Sequence, residues 1–416
     1  MVHAASQSTM VSVVRRYYAY RATLTTGFYL PVSVIHMEAQ GLGLADIGFV
    51  QGVFLFGMVA AELPTGYLAD YLGRRRTLAL GNVVTATVMT GFVFASSTAA
   101  FTALFLLWAV AWTLRSGTSD AWLYELLAEA DLDDEFARLS GRAESVLLVV
   151  SAGAALAAGF LYTVDPAVPF AANAVAAALG LPILLTLPRT QASGDDEPTM
   201  TIRRAVSLLR EQFTRPSIGW LVVYAALFNV VFSVTRVFEQ PALREVGVPV
   251  AGLGVVYAGF KLVSAAATGA AGAVQDRIGT RAVMLSLVPI FGVLYASFAV
   301  VPLLLVPAVF ARRAVERLVR PVRNEYINDR LGNVGRATVL SGVSMVLSLA
   351  SGTANVLGGR VADGVGPVTF LAATGVVVSV AAGLLWLLTS PVRDDPTAAT
   401  PSAVGTAEAS SGATDP

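Results

Sequence analysis

What constrains this chain most is a succession of apolar stretches, each about 20 residues long, separated by short segments of Gly, Pro, Asp and Arg. About 20 apolar residues cross a bilayer as a helix, so twelve crossings need roughly 240 residues. That is a little over half of the 416 present. Only 13% of the residues are charged and 55% are apolar, against roughly a quarter charged in an ordinary soluble domain. A soluble globular class is excluded, and so is disorder for all but short segments.

Helical spans are expected at about 16–38, 46–69, 76–97, 100–126, 142–162, 168–188, 217–239, 250–273, 281–300, 302–326, 337–360 and 367–389. Gly41 and Gly43 separate the first pair, Asp165, Pro166 and Pro169 separate the fifth from the sixth, and Pro367 opens the last. The first stretch is too long for the h-region of a cleavable signal and carries Arg21, so it is expected to remain as an anchor. The expected organisation is a short N-terminus (1–15), a six-helix bundle (16–188), a polar linker (189–216) with a basic amphipathic stretch, a second six-helix bundle (217–389) and a disordered tail (390–416).

Basic residues orient the spans. With both termini inside, the inner segments hold 17 arginines, the outer segments hold Arg244 and Arg360, and the other 9 of the 28 basic residues lie within spans. The expectation is a multi-pass plasma-membrane protein with cytoplasmic termini. Net charge is zero, and no basic arm suggests nucleic acid. The chain has no cysteine and only His3 and His36, which removes disulfides, thiol chemistry and a histidine-based metal site. No cofactor is called for. P-loop, H-E-x-x-H and G-x-S-x-G patterns are missing, so neither an ATP-driven pump nor an intramembrane hydrolase is indicated, and the expectation is that the chain is not an enzyme.

The halves repeat. Tyr18 and Tyr224, Gly41 and Gly247, Gly48 and Gly254, Gly66 and Gly272, Asp70 and Asp276, Gly73 and Gly279, and Arg75 and Arg281 all differ by 206. A second echo, Gly141-Arg142-Ala143 and Gly335-Arg336-Ala337, differs by 194. The acidic run from Asp131 to Glu135 is expected to fill that difference of 12. Duplicated six-helix halves are a transporter architecture with the site at their interface.

Between spans 2 and 3 the chain reads Gly66-Tyr67-Leu68-Ala69-Asp70-Tyr71-Leu72-Gly73-Arg74-Arg75-Arg76, and a degenerate copy, Gly272 to Arg281, falls between spans 8 and 9. Gly66 and Gly272 suit close helix approach, Gly73 and Gly279 a tight reversal, and Asp70 a helix end with arginine beside it. This loop resembles the signature of the major facilitator superfamily. The resemblance implies an all-α membrane protein with twelve transmembrane helices in two pseudo-symmetric bundles, moving a small molecule by alternating access. It further implies a cytoplasmic gate at Gly66, Asp70, Gly73, Arg74, Arg75, Gly272, Asp276, Arg277, Gly279 and Arg281. In span 5, Ser151 to Phe160 is rich in small residues but lacks the proline of this family's proton-driven drug exporters.

A charge at mid-membrane needs a partner or a watery cavity. Glu62 and Arg115 lie at similar depth in spans 2 and 4, with Arg21 near that level, and Asp120 and Glu144 nearer the inner surface. These five form an expected network. Glu62 or Asp120 could carry a coupling proton, or the cluster could be purely structural. Trp112, Arg115, Ser119 and Trp122 are spaced as one helical stripe, which suits either a cavity wall or packing. In the second half, Lys261 in span 8 and Arg312, Arg313 and Glu316 in span 10 would face the cavity by the family analogy. Their excess of positive charge favours an anionic group on the substrate. Arg236 and Glu239 are expected to pair as an outer gate, with Glu38 beside them. The expected activity is proton-coupled efflux of an amphiphilic compound by a monomer. Transport of a small organic anion, and a non-transporting sensor of the same fold, stay open.

Overall fold

The computed structural model describes residues 2–190, 202–331 and 336–392. Among these, all regular structure is helical. The helices are α1 (Val2–Thr23), α2 (Ser33–Ala39), α3 (Leu44–Leu72), α4 (Arg74–Phe94), α5 (Thr98–Arg115), α6 (Thr118–Ala128), α7 (Phe136–Val164) and α8 (Val168–Thr186), then α9 (Ile202–Thr214), α10 (Pro216–Glu245), α11 (Val250–Val300), α12 (Leu305–Asp329), α13 (Arg336–Val365) and α14 (Pro367–Thr389). The acidic stretch Gly194 to Pro198, Gly335 and the tail beyond Val392 lie outside the described residues.

Nine segments of the described residues are long and apolar enough to cross a membrane. They bury between 28% and 50% of their apolar windows inside the protein, so much of each faces outward. Val300, Leu387 and Leu388 are more than four-fifths exposed, which suits lipid and not water. One of the nine, α11, has 51 residues. At 1.5 Å per residue it would overrun a bilayer core of about 30 Å. It turns at Gly279 (φ 78°, ψ 156°), and Gly73 turns α3 into α4 with almost the same dihedrals (φ 80°, ψ 151°). Only glycine enters that region readily, so the 206-residue repeat is written into the backbone. Gly41 (φ 88°) and Gly247 (φ 93°) repeat it at the opposite end.

Three expectations need correction. Span 1 is not one helix: α1 stops at Thr23 and α2 starts at Ser33. Pro31 lacks an amide for the ladder, and Thr25 instead accepts the Gly27 amide at 3.1 Å and donates to Ser151 of α7 at 3.1 Å. Span 4 is also broken, because Gly117 sits at φ 75° between α5 and α6. Finally, the acidic run does not hold the 12-residue difference. The α6–α7 connection (129–135) is about as long as the α12–α13 connection (330–335). Part of the difference lies in span 4, where α5 and α6 cover 98–128 against 305–329 in α12.

Packing divides the helices into two groups, α1–α8 and α10–α14, joined chiefly where α3 meets α13 and α7 meets α11. The amphipathic α9 docks on the second group, with Leu209 against α13 at Gly342.

Candidate functional site

The seam between the groups is closed at one end only. At the arginine-poor end, a Cβ on Gly48 would come within 2.3 Å of the Asn355 carbonyl, and one on Gly359 within 2.6 Å of the Leu44 carbonyl. The other pairing mirrors this: Gly254 would meet the Ala155 carbonyl at 2.4 Å and Gly159 the Ala251 carbonyl at 2.5 Å. Backbones touch there because no side chain intervenes. Asp363 of α13 accepts the Leu44 amide at 2.8 Å, capping α3 from the other half.

At the arginine-rich end the seam is parted. A Cβ on Gly66 or Gly272 would meet nothing within 4 Å beyond its own helix backbone. The close approach expected of them is found instead at Gly48 and Gly254. A cavity of about 520 Å³ opens between α3, α5, α6, α12 and α13, and Glu62, Trp112, Ser116, Arg320, Ser344 and Met345 are among its lining residues. Helix α3 runs unbroken through Pro64, and Thr65 donates to the Ala61 carbonyl at 2.7 Å beside that missing amide.

Charges at this end stitch the first loop copy to its own half. Arg74 binds Asp70 at 3.1 Å and the buried Glu125 at 2.9 Å, and Arg75 donates to the Leu187 carbonyl at 2.8 Å. In the second copy, Asp276 and Arg277 make no ion pair among the described residues, and Arg281 lies 6.0 Å over the Trp386 ring.

The expected five-residue network forms only in part. Arg21 reaches Glu144 at 2.6 Å, Asp120 at 4.0 Å and the Ser119 hydroxyl at 2.9 Å. Glu62 and Arg115 stay out of it. Arg115 ends α5, and its Nε donates only to the Ala111 carbonyl of its own helix, at 3.3 Å. Glu62 is exposed on the cavity wall and has no ion pair among the described residues. The break at Gly117 also divides the expected stripe. Trp112 lines the cavity, but Trp122 is buried, stacked on Tyr17 and bonded to the Pro188 carbonyl at 3.2 Å, while Ser119 bonds Tyr17 at 3.0 Å.

In the second half, Arg236 and Glu239 do not pair with each other. Glu239 and Arg312 are both fully buried and 3.2 Å apart. Arg313 holds Glu239 at 2.5 Å and lies 4.7 Å over Phe260. Glu316 takes Arg312 and Arg236, each at 2.8 Å. The buried Glu239 and the half-buried Glu316 thus offset Arg312 and Arg313 at the centre of the arginine row, as burial of guanidinium groups requires. Lys261, half-buried on α11, has no ion pair among the described residues. His36 bonds Tyr162 and the Phe92 carbonyl and belongs to the packing.

Residues 21–240 match the Major Facilitator Superfamily, which is more than half of the chain. The chain belongs to this superfamily. The uncharacterized MFS-type transporter YxaM of Bacillus subtilis (strain 168) is 20% identical over 240 residues, 56% of this chain and 59% of YxaM. The uncharacterized MFS-type transporter MJ1317 of Methanocaldococcus jannaschii is 31% identical over 124 residues, 30% of either chain. The chain thus spans at most about three-fifths of these relatives. Among solved structures, the nucleoside transporter NupG superimposes with a TM-score of 0.76 at 13% identity, covering 91% of this chain and 98% of that one. The inward-facing, occupied bacterial homolog of the lysosomal transporter Spinster gives 0.70 at 15%, covering 94% and 99%. The D-xylose-proton symporter gives 0.59 at 15%, covering 91% and 96%. At such identities the likeness shows the fold alone.

Gln240, Tyr257 and Asp363 were not singled out by sequence. The usable signal was Pro31 within an apolar span: a broken membrane helix needs polar partners from elsewhere.

Proposed function

We propose that this protein is a twelve-span secondary transporter working by alternating access, and that the conformation described is open at its arginine-rich end. By the distribution of arginines that end is cytoplasmic, as it would be in a plasma-membrane protein. The observation that carries this reading is the one-sided seam: glycine-to-backbone contact at one end and a cavity at the other.

Glu62 is the coupling acid in this reading. It faces the cavity without an ion pair among the described residues, whereas Asp120 and Glu144 are committed to Arg21. An acid without an ion pair can exchange a proton as access alternates with no contact to arginine to break. The cavity combines Trp112, Met58 and Met345 with the acids Glu62 and Asp70 and the basic Arg74 and Arg320, and this mix of apolar and charged lining suits a small amphiphilic compound taken from the cytoplasm for efflux. A second reading has its own support. With Arg312 and Arg313 held by Glu239, the cations left without an ion pair among the described residues include Lys261, Arg317 and Arg320, and these could receive an organic anion.

The test is proton flux in proteoliposomes loaded with a pH-sensitive dye, challenged with amphiphilic cations and with small organic anions. The reading expects a cation-driven pH change that Glu62→Gln abolishes and Lys261→Ala leaves intact. An anion-driven response lost in Lys261→Ala would replace it with the second reading. Undiminished flux in Glu62→Gln would remove the coupling assignment.

A further inference from the structure

The break in span 1 leaves polar backbone inside the protein. A helix that restarts has amides with no partner in its own first turn, and a buried amide without a partner is costly. No side chain of the Val32 cap supplies one. The partner comes from the other half. Gln240 of α10 is 1% exposed, and its Oε1 accepts the amides of Val34 at 3.0 Å and Ile35 at 3.3 Å. Its Nε2 donates to the Leu30 carbonyl at 2.8 Å and to the Tyr257 hydroxyl at 3.0 Å. Tyr257 in turn donates to Glu239 at 2.8 Å, the carboxylate held by Arg312 and Arg313. An unbroken line of hydrogen bonds therefore runs from the backbone of the first half to the buried charges of the second.

We propose that Gln240 is the latch that holds the arginine-poor end shut, and that Tyr257 ties this latch to the Glu239–Arg312–Arg313 cluster. The inference rests on the alternating-access reading. If the arginine-poor end opens, water reaches Val34 and Ile35 and replaces the amide. The bonds to Gln240 thus favour only the closed state, and only such a differential contact can shift a two-state equilibrium. Tyr257 accepts from Gln240 while donating to Glu239, so its ring orientation, and through it the placement of the Gln240 amide, follows the cluster.

The chain has no cysteine, so single thiols can report each end. Val356→Cys places one at the closed seam, where Val356 faces Gly52, and Ser344→Cys places one in the cavity. The measurement is the maleimide labelling rate of the purified full-length protein. Gln240→Ala should raise labelling at 356 about tenfold and lower it at 344. Tyr257→Phe should raise labelling at 356 about threefold, and the double variant should not exceed Gln240→Ala alone, as residues acting in series require. Gly48→Val, which wedges the same seam against the Asn355 carbonyl, is the control. If Gly48→Val moves the two reporters in opposite directions and Gln240→Ala moves neither, the latch is refuted while alternating access stands. If no variant moves them oppositely, alternating access fails and the latch with it. A rise at both positions in Gln240→Ala means loosened packing and also overturns the latch. Additive effects of Gln240→Ala and Tyr257→Phe would remove Tyr257 from it.

Discussion

In the first half, Arg21 meets Glu144 and Asp120, whose side chains are 53% and 52% exposed. In the second half, Arg312 and Glu239 meet with neither exposed at all. The two halves share one repeat and the same glycine turns, yet they handle charge in opposite ways. The first half breaks two of its helices, leaves carboxylates at water and presents Glu62 to the cavity. The second keeps α10 and α12 continuous and encloses one ion pair, Arg312 with Glu239, at the centre of its cluster. A duplicated scaffold thus keeps its glycine turns, which single residues set locally, while helix continuity and charge placement diverge, because each buried ion needs only some partner from a neighbouring helix.

The largest test of this contrast is Glu239→Ala. It removes the only ion pair of Arg313 among the described residues and leaves the fully buried Arg312 with Glu316 alone, and breaking such a buried pair costs about 3–5 kcal/mol. A fall of many degrees in melting temperature, or loss of folded protein, is expected. A mild effect would mean that water reaches the cluster and that the halves do not differ as described.

Next in size are Gly73→Ala and Gly279→Ala. A side chain in this extended positive-φ backbone costs about 1–3 kcal/mol, so each should lower the melting temperature. Because the dihedrals agree, the two shifts should match. A large inequality would show that one copy relaxes where the other cannot, breaking the symmetry of the turns.

Glu144→Gln should be smaller. A half-exposed ion pair is worth about 0–1 kcal/mol, so stability should change little in low salt and less in high salt. A loss comparable to Glu239→Ala would place the Arg21 network in the same enclosed class. Smallest is Asp70→Asn, whose side chain is 71% exposed. Its melting temperature should not move measurably, while transport in proteoliposomes should fall if the loop acts as a gate. Unchanged transport would leave Asp70 as a surface cap.

Much of this was legible before any coordinates. The loop from Gly66 to Arg76 and its degenerate copy announced the superfamily. Glycines at a constant offset marked both turns and one of the seam contacts on each side, Gly48 and Gly254. The site was less legible. Glu62 at the cavity could be read from its depth, but its supposed partner Arg115 turned instead toward its own helix. The stripe from Trp112 to Trp122 assumed a continuous helix, and Gly117, one more glycine in a glycine-rich chain, gave no warning. Arg236 and Glu239 sat at pairing distance along one helix, yet each found a stronger partner on α12.

By itself, then, the sequence determined that the chain crosses a membrane as helices, that it is duplicated, where its repeated glycine turns fall and which superfamily it joins. Those properties depend on local hydropathy and on backbone freedom at single residues. Only the tertiary structure decided which end of the seam is closed, which charges cancel and what completes the broken first span. Each of these is a contact between helices far apart in the chain. Gln240 meets Leu30 across 210 positions, and no local pattern encodes which amide will satisfy which backbone, because that depends on how the two halves dock.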